Sequence, residues 1–410
     1  MLIQSVEDSS RNETDDGALA GISVLDLTPA GPGPYCTMLL GDLGAHVLKI
    51  DWPRGSVVPS AGIGLTPGSE EWDAACNPHN RNKRSIGLNL KSEQGRKIFY
   101  RLSEKADVVL EGFRIGGAKR LCVDYDTIKD INPKIVYCSL STWGQDGPYQ
   151  KLPAHDICII SVAGVLGIMG QRGGRPAILG NLLADYAGGG MHAAVAILAA
   201  LMARERTGRG QFVDIAMLDG VLSLMSEEAY HYFSTGRVPR RGETWTTGGA
   251  AYYNVYETKD GEYLALACLE PSGFEGLCRV LGREDFITGQ YAEAEKQQEM
   301  FAYFSEVFLT KTRDEWFKLL SQKDMCVAPV YHLDEVFSDP QVLHRQMVVA
   351  LNHPRVGKVK QIGVSMKLSD TPGGIKRLAP LPGEHTEEVL MELGYTKEAI
   401  DGLRREEAIM

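Results

Sequence analysis

Ile22-Ser23-Val24-Leu25-Asp26-Leu27-Thr28-Pro29-Ala30-Gly31-Pro32-Gly33-Pro34 is an apolar run with one acid that breaks directly into a glycine- and proline-rich turn. Tyr35 to Leu43 then has a helical pattern, and Val47 to Ile50 is apolar again. Strand, turn, helix, strand is how a doubly wound α/β sheet begins. Strands are predicted at Ser85 to Leu90, Asp107 to Glu111 and Lys134 to Leu140, with helices at Ser92 to Lys105 and Asp124 to Ile131 between them. Such alternation implies a parallel sheet. An apolar helix Ile157 to Met169 follows, then a helix opening near Asp185, a strand at Gln211 to Met217 and a helix at Asp219 to Ser234.

The composition then changes. Arg237 to Gly249 is rich in Gly, Thr and Arg, and leads into Tyr252 to Tyr256 and Tyr263 to Leu269, joined across Lys259-Asp260-Gly261. That is a hairpin signal with a favoured turn pair. Helices at Ser272 to Leu281, Gln297 to Leu309 and Thr312 to Gln322 and a strand at Val327 to Tyr331 complete a smaller α+β domain. The expected organisation is a disordered extension over 1–18, a large domain over 19–235, a small one over 236–345, and a return to the large domain over 346–410, where Gly383 to Arg405 reads as charged amphipathic helix.

The 410 residues are 44% hydrophobic and 23% charged, with a formal net charge of −10. An acidic balance without a long Lys/Arg block argues against nucleic acid as partner. No apolar run reads as long enough to span a bilayer, and the acidic start (Glu7, Asp8, Asp15, Asp16) has no signal-peptide character, so a cytoplasmic protein with no membrane partner is expected. The eight cysteines show no metal-ligand spacing and read as reduced thiols; no metal is expected.

The Gly31-Pro32-Gly33 turn, with Asp51 ending the next strand, invites a dinucleotide reading. The detail opposes it: Pro32 and Pro34 have no N–H to offer a pyrophosphate, and Cys36 stands where a third glycine should be. Two cationic groups, Arg81/Lys83/Arg84/Lys91 and Arg114/Lys119/Arg120, fall near strand-to-helix connections, where they can clamp a polyphosphate or simply be solvated. Asp185 stands where a buried helix begins, followed by Gly188-Gly189-Gly190, which remove side chains that would keep a ligand away; its plain alternative is an N-cap. His155-Asp156 and Glu270 likewise precede helical segments, so that three proton carriers can meet in one cleft.

At this point the residues carry a resemblance. Leu19 to Leu27, Gly31-Pro32-Gly33-Pro34-Tyr35-Cys36, Gly41-Asp42-Leu43-Gly44-Ala45, Asn80-Arg81-Asn82-Lys83-Arg84-Ser85, Glu111-Gly112-Phe113-Arg114, Gly144 to Tyr149, Ala184-Asp185 and Gly383 to Glu388 resemble the family III CoA-transferases, from about Ala20 to the C-terminus. The resemblance implies a Rossmann-like large domain built from both chain ends, a small domain between them, and an interlocked homodimer. It also implies an acyl-CoA thioester as substrate, with coenzyme A entering as part of that substrate rather than as a resident cofactor.

The family includes transferases, in which the aspartate matching Asp185 attacks the thioester to form a mixed anhydride, and 2-methylacyl-CoA racemases, in which it is half of a proton-transfer pair with a histidine. Pro153-Ala154-His155-Asp156 and Leu269-Glu270-Pro271 resemble the racemase pattern, giving Asp185 and His155 as acid and base and Glu270 as the group assisting the histidine. The reading is therefore a racemase or epimerase; the alternatives are a CoA-transferase and a catalytically silent CoA-binding subunit. By resemblance the CoA contacts are Gly31, Pro32, Gly33 and Pro34; Leu88, Asn89, Leu90 and Lys91; Gly112, Phe113 and Arg114; Arg120; and Ala154 and Asp156 beside the histidine. Trp52 stands where many relatives have arginine, so Arg54 substitutes for it or Trp52 stacks on adenine. Amides at the helix start after His155 are the expected donors to an enolate oxygen.

Overall fold

The computed structural model describes residues 17–51, 70–323 and 325–410. They fall into two compact units: the chain up to Ile160 with Asn181–Leu224 and Pro340–Met410, and a second unit of Ser161–Gly180 with Met225–Asp339.

The first unit is built on six strands: β1 (Ser23–Asp26), β2 (His46–Asp51), β3 (Lys83–Gly87), β4 (Val108–Glu111), β5 (Val136–Ser141) and β6 (Gln211–Ala216). All pairings are parallel, in the order β3-β2-β1-β4-β5-β6. β1, β4 and β5 are wholly or almost wholly buried, which is why they read as unbroken apolar runs rather than as alternation. Helices fill the crossovers: α1 (Pro32–Asp42), α2 (Glu93–Ser103) with the Ser92 side chain accepting from the Gly95 N–H, and α3 (Tyr125–Ile131) capped by Asp124. The order turns back between β1 and β4, so a crevice opens above their carboxyl ends, where the turns after Asp26 and Glu111 emerge.

The apolar stretch after Asp185 is longer than the sequence suggested. Ala184–Met191 forms a π-helical turn that runs directly into α5 (His192–Thr207), after α4 (Asp156–Val162), and α6 (Met217–Leu224) follows β6. Together Ala184–Thr207 is long and apolar enough to cross a membrane, contrary to the expectation from the sequence. Its buried Ala193, Ala194, Ile197, Ala200 and Leu201 instead belong to a helix covering β5 and β6. The expected helix Ile157 to Met169 is broken: Gly164 adopts φ 87°, and the chain passes into the second unit there. The C-terminus packs on the first unit, with Leu390, Ile400, Leu403 and Ile409 in the same core as Leu25, Leu48 and Ile86. A strand pair not anticipated from sequence, Val348–His353 with Gly357–Ile362, precedes it.

In the second unit, strands Tyr253–Glu257, Tyr263–Ala267 and Val327–Pro329 form an antiparallel sheet over an aromatic core of Tyr256, Phe274, Phe286, Phe304, Phe308 and Trp316. Gly261 takes φ 78° in the hairpin turn, and Asp260 accepts from the Arg313 N–H at 3.1 Å.

Candidate active site

Above the carboxyl ends of β1 and β4 lies a cleft of about 780 Å³. Pro32 and Gly33 from the first turn, Gly112, Phe113 and Arg114 from the second, and Ala154 and His155 before α4 line it, with Arg120 at the same wall. Arg114 and Arg120 are exposed. Among the described residues no carboxylate lies within ion-pair distance of either, so both are available to a phosphate. Gln150, Lys151 and Cys158 also line the cleft. No sequence signal marked them, because a lone lysine in a polar loop looks like any solvated one.

Asp185 comes to this cleft through Gly31. With φ 67°, Gly31 turns the chain into α1, and a Cβ there would stand 3.0 Å from Asp185 Oδ2. The carboxylate thus abuts the turn whose neighbours Pro32 and Gly33 face the cleft. Burial, and then the nearby Asp156 carboxylate, push the Asp185 carboxyl up to about 6, with His155 pulling in the opposite direction. Asp185 does not cap its helix. Asp156 does, its Oδ2 accepting from the N–H groups of Ala184 at 2.6 Å and Asp185 at 3.2 Å. Asp156 is itself buried and does not line the cleft, so its visible work is to fix Asp185.

The three glycines serve a different purpose from the one the sequence suggested. A Cβ at Gly188 would meet Val221 Cγ2 at 2.8 Å, one at Gly189 would meet Pro32 Cβ at 2.9 Å, and one at Gly190 would meet Pro32 O at 2.7 Å. They let the π-turn, α1 and α6 approach closely, and the space they leave is filled by protein. Gly190→Ala is therefore expected to destabilise by about 1–3 kcal/mol through overpacking against backbone, measured as a lowered denaturant midpoint at unchanged slope; an unshifted midpoint would show that α1 yields freely.

Three of the four residues in the first cationic group are held in ion pairs, and the fourth, Lys91, is exposed. Arg81 pairs with Asp42 at 2.5 Å with both side chains buried, Lys83 with Asp26 at 3.1 Å with both fully buried, and Arg84 with Glu388 and Glu392. Each of these three positive charges is neutralised within the fold. Lys83 and Asp26 instead hold the first turn: Lys83 donates to the Pro34 carbonyl at 3.2 Å, Lys49 to the Thr28 carbonyl at 2.7 Å, and Asp26 accepts from the Thr28 N–H at 2.9 Å and the Thr37 hydroxyl at 2.7 Å. Burial would raise the Asp26 carboxyl, but Lys83 and Lys49 hold it well below the usual range. Beside this turn His79, Tyr35 and Tyr186 pack ring to ring; burial, with Lys83 and Arg81 nearby, brings His79 down to about 4, a neutral imidazole at ordinary pH.

Leu88 and Leu90 are fully buried, Asn89 donates to the Glu407 carbonyl at 3.0 Å, and the Lys91 N–H donates to Asn89 Oδ1. None of the four lines the cleft, since β3 lies two strands away from the crevice. Gly31 and Pro34 belong to its first turn without being among its lining residues. Glu270 immediately precedes the helix Pro271–Val280 in the second unit. Arg54 and Trp52 lie outside the described residues. Of the expected donors at the start of α4, the Cys158 and Ile159 N–H groups both donate to the His155 carbonyl. At the start of α1, Pro32 and Pro34 have no N–H and Tyr35 N–H donates to Gly31 at 3.4 Å, which leaves Gly33 as the amide at the positive end of that helix.

The chain is similar to known proteins along most of its length. A family model described as CoA-transferase family III matches residues 19–386. The alpha-methylacyl-CoA racemase of Homo sapiens is 35% identical over 395 residues, covering 96% of this chain and 97% of that protein. The succinyl-CoA:glutarate CoA-transferase of Homo sapiens is 31% identical, covering 94% and 88%. Among solved structures, a CAIB/BAIF family protein from Brucella suis superposes with a TM-score of 0.80 at 29% identity, covering 92% of this chain and all of that one.

Proposed function

The chain belongs to CoA-transferase family III, and from that premise we propose that it is a 2-methylacyl-CoA racemase or epimerase. The observation that carries the reading is a histidine in the cleft wall, His155, within electrostatic reach of a carboxyl raised to about 6, Asp185. One of the pair removes the C2 proton of the thioester, and the C–H electron pair moves into the C1 carbonyl to give an enolate. The other returns a proton to the opposite face as the carbonyl reforms. An acid near 6 suits this work, because both its protonation states are accessible near neutrality. The Gly33 amide at the positive end of α1 is the donor best placed for the enolate oxygen.

Coenzyme A belongs in the cleft, its phosphates on Arg114 and Arg120 and the turn Gly31 to Pro34 beside its reactive end. Glu270 is kept as the group assisting His155. An interlocked homodimer is part of the same proposal: in the first unit Val195 and Met202 of α5 are each 67% exposed, and in the second unit Phe233 is 81% exposed, apolar surface of the kind a second copy covers. The eight cysteines are all unpaired, which fits a reducing, cytoplasmic setting. The similarity to a CoA-transferase keeps a second reading, with Asp185 attacking the acyl carbonyl and expelling CoA thiolate.

The test is incubation with a 2-methylacyl-CoA in deuterated water, where one C2 deuterium per turnover is expected, and transfer of CoA to a free acid without exchange would reject the racemase. Arg114→Ala should raise KM for acyl-CoA by about tenfold with kcat nearly unchanged, as for a remote, uniformly bound phosphate. Unaltered CoA affinity in that variant would remove Arg114 from the binding site.

A further inference from the structure

The turn Gly112–Arg114 is a thin wall. On one side is the large cleft; on the other, Phe113 and Arg114 also line a separate cavity of about 120 Å³, bounded by Asp124, Tyr125, Tyr137, Ser139 and Gln145. Phe113 packs against the core of the first unit, and hydrogen bonds add to that contact in locating the turn. Glu111, the last residue of β4 and almost fully buried, supplies them. Its Oε2 accepts from the Phe113 N–H at 2.7 Å, and its Oε1 accepts from the Ser139 hydroxyl on β5, whose oxygen in turn accepts from Gln145 Nε2 at 2.8 Å. One carboxylate thus ties the turn that presents Arg114 to the neighbouring strand and to the loop after it.

We propose that Glu111 is a positioning residue for coenzyme A: it touches no substrate, and through the Phe113 amide it sets where Arg114 meets a CoA phosphate. The proposal rests on the cleft being the CoA site. Ionised acceptors make the stronger hydrogen bonds, which is why a buried carboxylate rather than a serine or asparagine suits a wall with space on both faces. Burial raises the Glu111 carboxyl, while Ser139 and the Phe113 amide oppose the rise.

The experiment measures CoA binding by calorimetry and C2 exchange kinetics in full-length Glu111→Ala, Glu111→Gln and Arg114→Ala proteins and in the Glu111→Ala/Arg114→Ala double variant. Glu111→Ala should raise both Kd for CoA and KM by about tenfold while kcat stays within about threefold, the loss expected when a hydrogen bond to a charged group stops ordering a binding turn. Glu111→Gln, which keeps an oxygen for the Phe113 amide, should recover most of that loss. In the Arg114→Ala background the Glu111 substitution should add little, since it acts through the missing guanidinium. Should Glu111→Ala fail to fold, Ser139→Ala, expected to raise KM about two- to threefold by freeing one side of the carboxylate, decides alone. A fall in kcat at constant KM, full additivity with Arg114→Ala, or no change in KM for Ser139→Ala would overturn the proposal. If the unmodified protein bound no CoA, the cleft assignment itself would fall, and Glu111 with it.

Discussion

Asp185→Asn is expected to lower C2 proton exchange by about 10²–10⁴-fold, the contribution of a positioned acid or base, with no loss of thermal stability at pH 7. The second half follows from the geometry. Asp156, not Asp185, caps the π-turn, so the amide removes no cap bond. It also removes a charge that the fold disfavours. Because the folded carboxyl lies at about 6, above the ordinary 3.8, the folded state holds its proton more tightly than the unfolded chain does. Stability associated with that proton is present below pH 3.8 and is lost as pH rises through about 6. Asparagine mimics the protonated form, so the variant should match the parent near pH 4 and equal or exceed it at pH 7. In the parent enzyme kcat/KM should rise with pH along a limb near 6 when Asp185 is the base. A variant that keeps its activity would end the role of Asp185 in proton transfer, and a lowered midpoint at pH 7 would show that it supports the helix after all.

The doubly wound beginning was legible because its strands are buried on both faces and its turn is written in Gly and Pro. The positions of Arg114, Arg120 and His155 on the crevice were likewise legible, since each follows a strand or loop that opens there; Lys119, grouped with the two arginines, does not line it. What stayed hidden depends on side-chain partners far away in sequence. Arg81 and Lys83 have the same local look as phosphate ligands, but Asp42 and Asp26, brought alongside by α1 and β1, neutralise them. Gly188 to Gly190 look like room for a ligand until α6 and Pro32 are placed against them. The excursion of Ser161–Gly180 into the second unit was invisible because the apolar run hides its break at Gly164. Local pattern reports periodicity and turn chemistry; it does not report which buried charge meets which.

His155→Ala carries the choice between the two chemistries. For a racemase the variant leaves one face of the substrate without an acid or base, and exchange at C2 should fall by about 10²–10⁴-fold, while CoA affinity holds because Arg114, Arg120 and the turns remain. His155 is exposed at the cleft wall, and its backbone carbonyl, which alanine retains, is what accepts from Cys158 and Ile159. The fold should therefore be indifferent, and a loss of activity can be read as chemistry. For a transferase, exchange should be negligible even in the parent protein. Acyl-CoA with hydroxylamine should then convert Asp185 to a hydroxamate and inactivate it, since an acyl-aspartyl anhydride is electrophilic and a carboxylate working in proton transfer is not. CoA transfer between two acids that survives in His155→Ala, accompanied by that trapping, would defeat the racemase. Exchange that needs both His155 and Asp185, with neither trapping nor transfer, would defeat the transferase, because an anhydride mechanism gives the histidine no proton at C2 to move.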